Sequence, residues 1–111
     1  MTLKKSECTI IPLVLKKKWY DMIESGEKWQ EYRTSRTVCH MIERLVGEWH
    51  MKGNKKLVAT FFLGYQKERP SVSYLVEFVT YEEDCRHPDW GEPEGRHCVI
   101  DLGYKVQLIE G

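Results

Sequence analysis

Six apolar residues constrain this chain more than any other feature. Val38, Met41, Ile42, Leu45, Val46 and Trp49 recur at i, i+3, i+4, i+7, i+8 and i+11. That spacing lines one face of an α-helix. Thr34 or Ser35 can cap its start, and Gly47 weakens it near its end. The stripe predicts a helix over 36–49 packed against a core. Elsewhere the period changes. LVATFFLGY at 57–65 and VSYLVEFVTY at 72–81 are long β-like runs joined by the polar turn QKERPS. IIPLVL at 10–15 reads as a short buried strand, and Pro12 places it at an edge or a bulge because proline has no N–H for a ladder. KKKWYDMIES at 16–25 returns to helical spacing and ends at Gly26.

KWQEYRT at 28–34 alternates. Trp29, Glu31 and Arg33 are expected on one face, and Lys28, Gln30, Tyr32 and Thr34 on the other. Residues 82–97, EEDCRHPDWGEPEGRH, read as a long loop of a kind that often carries function. CVIDLGYKVQLIE at the end reads as two short strands bent at Gly103-Tyr104. The first nine residues are expected to be loose, and residues 10–111 to form one domain. The resulting order is β-α-β-α-β-β-loop-β-β. Strands mostly follow one another without a helix, so the expected fold is α+β. It is a small mixed or antiparallel sheet of five or six strands, curled into a barrel, with two short helices.

Composition removes several function classes. The chain has 111 residues, 41% hydrophobic and 31% charged, which suits one globular domain. Seventeen Lys+Arg balance seventeen Asp+Glu, so it is not a globally basic nucleic-acid binder. The charges are uneven, however. Residues 1–69 hold 14 basic against 8 acidic side chains, and residues 70–111 hold 3 against 9. No apolar run reaches a membrane span of ~20 residues, and no signal peptide is read at the N-terminus. A cytoplasmic location is therefore expected. Cys8, Cys39, Cys85 and Cys98 are too scattered for a disulfide scaffold. Cys85, His87, His97 and Cys98 lack metal-ligand spacing, and adjacent strand residues such as His97 and Cys98 point to opposite faces. No metal or cofactor is expected. No serine has a nucleophile-elbow context, and no glycine-rich phosphate loop is present.

PLVLKKKWYDMIESGEKWQEYR resembles the opening of ASCH domains, a branch of the PUA-like superfamily. In that family a strand and a helix lead into a G-x-K-x-x-E-x-R segment, here Gly26, Lys28, Glu31 and Arg33. HPDWGEPEGRHCVIDLG is similar to the family's closing loop and strand. FFLGY at 61–65 is similar to a strand that carries a Gly-Tyr toward the pocket in small stand-alone members. The resemblance covers residues 10–109. It implies a PUA-like β-barrel with a cleft bordered by the Lys28–Glu31–Arg33 segment, and an RNA, nucleotide or nucleoside ligand.

Some small members resemble amidohydrolases that act on an acylated nucleoside such as N4-acetylcytidine, using a Lys, a Thr three residues later and a distant Glu. Lys28 matches that Lys, and Glu31 stands where the Thr would be. As an enzyme the chain would use Lys28 and Glu31. As a binder it would use Lys28, Glu31, Arg33, Tyr65 and Trp90, with Arg33 held by Glu31 to face a phosphate or a base edge. A protein-interaction module built on the acidic loop is a further alternative. The oligomeric state is open.

Overall fold

The computed structural model describes residues 1–111, which form an α+β fold of six strands and two helices. In chain order these are β1 (Thr2–Lys4), β2 (Cys8–Leu15), α1 (Lys17–Glu24), β3 (Gln30–Arg33), α2 (Arg36–Lys52), β4 (Lys56–Leu63), β5 (Ser71–Glu82) and β6 (His97–Ile109). The sheet is mixed. β2 lies parallel to β4, β4 antiparallel to β5, and β5 antiparallel to β6. The other edge of β6 is shared: β3 pairs antiparallel with its first half and β1 parallel with its last residues.

No backbone ladder joins β2 to β3, so the sheet does not close into the expected barrel. Its two ends meet through one side chain instead. Arg33 on β3 donates from Nη2 to the Val14 carbonyl of β2 at 2.9 Å. Pro12 sits on β2, an edge strand with a ladder to β4 alone, where its missing N–H costs nothing.

Two further expectations are corrected. The first residues are not loose, because Thr2–Lys4 pair with Gln107–Ile109 and a 3₁₀ turn leads directly into β2. The C-terminal segment is one strand of thirteen residues, not two. Tyr74 pairs with Lys105 but Val76 with Leu102, so the Gly103-Tyr104 bend is absorbed as a register shift against β5.

The helix stripe packs as its spacing predicts. Ser35 caps α2 by accepting from the Val38 N–H. Cys39 and Ile42 are buried, and Val38, Met41, Leu45, Val46 and Trp49 pack half-buried on the same core. Ile11, Leu13, Ile23, Phe61 and Ile100 complete that core between helices and sheet. Ile42 has no exposed surface, so Ile42→Asp places a charge there without a partner. Loss of about 3–5 kcal/mol is expected. Half-buried Val46→Asp should lose less, because that position can turn its carboxylate toward water. Equal urea midpoints for the two variants would contradict this packing.

Candidate functional site

The turn from α1 to β3 builds the first part of the site. Gly26 takes a left-handed φ of 87° after the helix, and the Lys28 N–H then bonds back to the Met22 carbonyl at 2.9 Å. This folds the Lys28 side chain inward, where it is only 2% exposed. Its ammonium lies 2.7 Å from Glu31 Oε1 and over the faces of Trp19 and Tyr32. Glu31 is buried as well and accepts from Arg33 Nε and Nη2 through Oε2. One carboxylate thus bridges a fully buried lysine and a partly exposed arginine. Burial pushes the Lys28 pKa below the ordinary lysine value; Glu31 opposes this through its charge and hydrogen bond, and Arg33 adds to it.

The alternation expected over 28–34 holds within β3 itself. Glu31 and Arg33 meet on one face, while the Tyr32 hydroxyl reaches Gln30 Oε1 on the other. Trp29 departs from it, because the strand begins at Gln30. The Trp29 ring stands edge-on to Trp90 and His87, with centroids 5.2 and 5.6 Å away. It is 48% exposed. His87 stacks flat on Trp90 at 4.2 Å. A small cavity of about 180 Å³ opens here, lined by Trp29, His87, Gln30, Asp101, Thr80 and Glu82 among others. Gln30 Nε2 donates to Asp101 Oδ1 within this lining.

The loop that carries Trp90 is tied by Glu92. Its Oε1 accepts from the backbone N–H of Arg86 and His87, and its Oε2 meets His97 Nε2 at 2.7 Å. His97 Nδ1 faces the Gly95 carbonyl at 2.6 Å. The pair is buried. Gly91 presses the loop on α1: a Cβ there would stand 2.8 Å from Trp19 Cζ2, and φ is 82°. This loop is a fixed strap. Cys98, the neighbour of His97, points the other way into the core, where burial raises its thiol pKa to about 12.

A second cavity of about 270 Å³ lies beyond Arg33, between the start of α2 and the end of the strap. The largest cavity, about 810 Å³, lies elsewhere, around Thr60, Phe62, Ser73 and Val106, and holds none of the residues singled out in the sequence.

Of those residues, Lys28, Glu31 and Arg33 come together. Trp90 joins Trp29 and His87 instead. Tyr65 follows Gly64 at the end of β4, is 86% exposed, and stacks on no other aromatic ring. Two groups of basic side chains, Lys16, Lys17 and Lys18 on one hand and Lys52, Lys55 and Lys56 on the other, stay apart. The β2–β4 register aligns Cys8 with Lys56 and Leu15 with Leu63, so Lys16–Lys18 and Lys52–Lys56 sit at opposite ends, about 25 Å apart. Trp29, His87 and the Glu92–His97 pair escape a reading of sequence spacing, because three separate segments bring them together. The one sequence signal was the unusual company of Trp29 with an acid and a base. No protein-family model matches the chain, and no curated protein matches it.

Two outcomes follow from the buried charges. Glu31→Gln leaves buried Lys28 without a counter-charge, and a loss of about 3–5 kcal/mol is expected in chemical unfolding. Lys28→Met should lose less, because Glu31 retains Arg33. The reverse order would remove Glu31 from the centre of the cluster. For Glu92, burial raises the pKa, but the His97 and backbone hydrogen bonds outweigh it and leave it below its ordinary 4.5. A carboxyl lowered in the folded state contributes stability above its unfolded pKa and loses it as pH falls through the folded value. Stability should therefore fall below pH 4.5, and Glu92→Gln should flatten that fall while lowering stability at neutral pH. An unchanged acid limb in Glu92→Gln would disprove the role of this carboxylate.

Proposed function

We propose that this chain binds single-stranded RNA or a nucleotide along β3, as a PUA-like domain of the ASCH type. The observation that carries the reading is the half-exposed Trp29 ring, held edge-on to Trp90 and His87, in a slot lined also by Gln30 and Asp101. A base stacked on an aromatic face gains roughly 1–3 kcal/mol and needs no particular sequence. Asp101 Oδ2 and the second Gln30 N–H carry no protein partner and are free to meet a base edge. Arg33, fixed by Glu31 and the Val14 carbonyl, stands farther along the same strand. The curl of the sheet, with its ends riveted at Arg33, supports the PUA-like assignment, and a barrel closed through side chains is part of the proposal. Lys28 acts here through Glu31, as the buried cation that orients the carboxylate.

Hydrolysis of an acylated nucleoside is the second reading. The lowered pKa of Lys28 favours it, since a general base must be able to lose its proton. Against it, Lys28 is sealed beneath Trp19 and lines neither of the two cavities beside β3. Glu31 replaces the hydroxyl that such chemistry would use. Binding without turnover fits these positions better.

The test is titration of a short single-stranded RNA, followed by tryptophan fluorescence. Affinity should fall as salt rises, because phosphate contacts release counterions. Trp29→Ala should weaken binding roughly 5- to 100-fold. No binding at low salt, or an unchanged Trp29→Ala variant, would overturn the reading. Turnover of N4-acetylcytidine that is lost in Lys28→Arg would establish the hydrolase instead, because arginine cannot act as a base near neutral pH.

A further inference from the structure

We infer that the cavity beyond Arg33 is a binding site for a terminal phosphate group. Arg33, Arg36, Arg96, His40, Thr34 and Tyr81 line it. The three guanidiniums come from β3, the first turn of α2 and the end of the strap, so only the folded chain assembles them. Arg33 is already immobilised: Nε and Nη2 are held by Glu31, and Nη2 also by the Val14 carbonyl. Its Nη1 has no protein acceptor. The Arg96 guanidinium lies over the Tyr81 ring, its Cζ 4.4 Å from the centroid, a stacking that leaves its N–H groups without a protein acceptor. Arg36 is exposed, and neither Arg36 nor Arg96 forms a salt bridge.

The carboxylates nearby do not neutralise this set. Glu43 lines the cavity and accepts from the Tyr81 hydroxyl. Glu31 lies behind Arg33 and is shared with Lys28. Glu92 is taken up by buried His97. Among the side chains that line the cavity, Arg33, Arg36 and Arg96 therefore exceed the one carboxylate, Glu43, by two positive charges. Guanidinium forks bind phosphate oxygens through paired charge-assisted hydrogen bonds. A phosphate monoester carries about −1.5 to −2 at neutral pH, which matches that excess better than a singly charged diester does. A volume of about 270 Å³ admits the group together with some of its water.

The carrier of the phosphate, a nucleotide or the 5′ end of an RNA, rests on the function proposed for β3; the anion site does not. The test has two arms. In the first, inorganic phosphate is titrated at low ionic strength, with chloride as control, and backbone amide NMR shifts are followed. Saturable shifts confined to residues 33–40, 81 and 96–97 are expected, and Arg36→Gln combined with Arg96→Gln should weaken them about tenfold or more. Both residues are exposed, so the variant should fold. In the second arm, RNA with a 5′-phosphate is compared with the same RNA ending in a 5′-hydroxyl. The phosphate should tighten binding several-fold in the wild type and not in the double variant.

Absence of saturable shifts with phosphate, or shifts unchanged in the double variant, overturns the site. RNA binding that needs Trp29 but ignores both the 5′-phosphate and the two arginines overturns an RNA 5′ end as the occupant of the site while sparing the β3 reading. Phosphate binding without RNA binding upholds the site and removes that reading.

Discussion

A single buried carboxylate organises this molecule. Glu31 holds the Lys28 ammonium on one oxygen and the Arg33 guanidinium on the other. Each partner then does something the backbone does not. Lys28 fills the space between Trp19 and Tyr32, tying α1 to β3. Arg33 reaches across to Val14 and connects the two ends of the sheet. Buried ion pairs are weak as net stabilisers, because desolvation offsets most of the Coulomb gain. Their effect is on geometry: Glu31 cannot leave without stranding buried Lys28, so the side chains are held in one arrangement.

That geometry leaves β3 with two different surroundings. On one side the Glu31 face delivers an oriented guanidinium to a cationic cavity. On the other, Gln30 and Tyr32 form a chain of hydrogen bonds to Asp101 beneath the Trp29 ring. The strap between β5 and β6 borders both. Its Glu92 lines the aromatic slot, while its partner His97 lines the arginine cavity. Because Glu92, His97 and Gly95 lock together, the strap positions Trp90 and His87 with only a 3₁₀ turn, Pro88–Trp90, of its own. A loop rich in acids and prolines thereby gains a fixed shape from one buried pair.

Much of the fold was legible from residue spacing. The α2 stripe, the Gly26 stop, the paired β4 and β5 runs and the edge position of Pro12 each follow from a local rule of period, φ angle or missing N–H. The Glu31–Arg33 contact was legible too, because residues two apart on a strand share a face. The N-terminal strand was not. Thr2–Lys4 have little pattern of their own and become a strand because β6 offers a free edge beside them. The unbroken β6 was missed for a related reason: a bulge opposite β5 absorbs a glycine that, in isolation, marks a break.

Residue spacing therefore sets most of the elements, their order and the residue types that meet within one strand or one helix. Those depend on interactions a few residues long. Tertiary structure alone decided which distant groups share a surface. It buried Lys28 instead of presenting it, left Tyr65 apart and separated the lysine clusters by the length of a parallel strand pair. It also drew Trp29 to His87 and Trp90, and Arg33 to Arg36 and Arg96. The reason is physical: burial and long-range pairing are set by how the sheet curls and where its edges meet, and no local period carries that information.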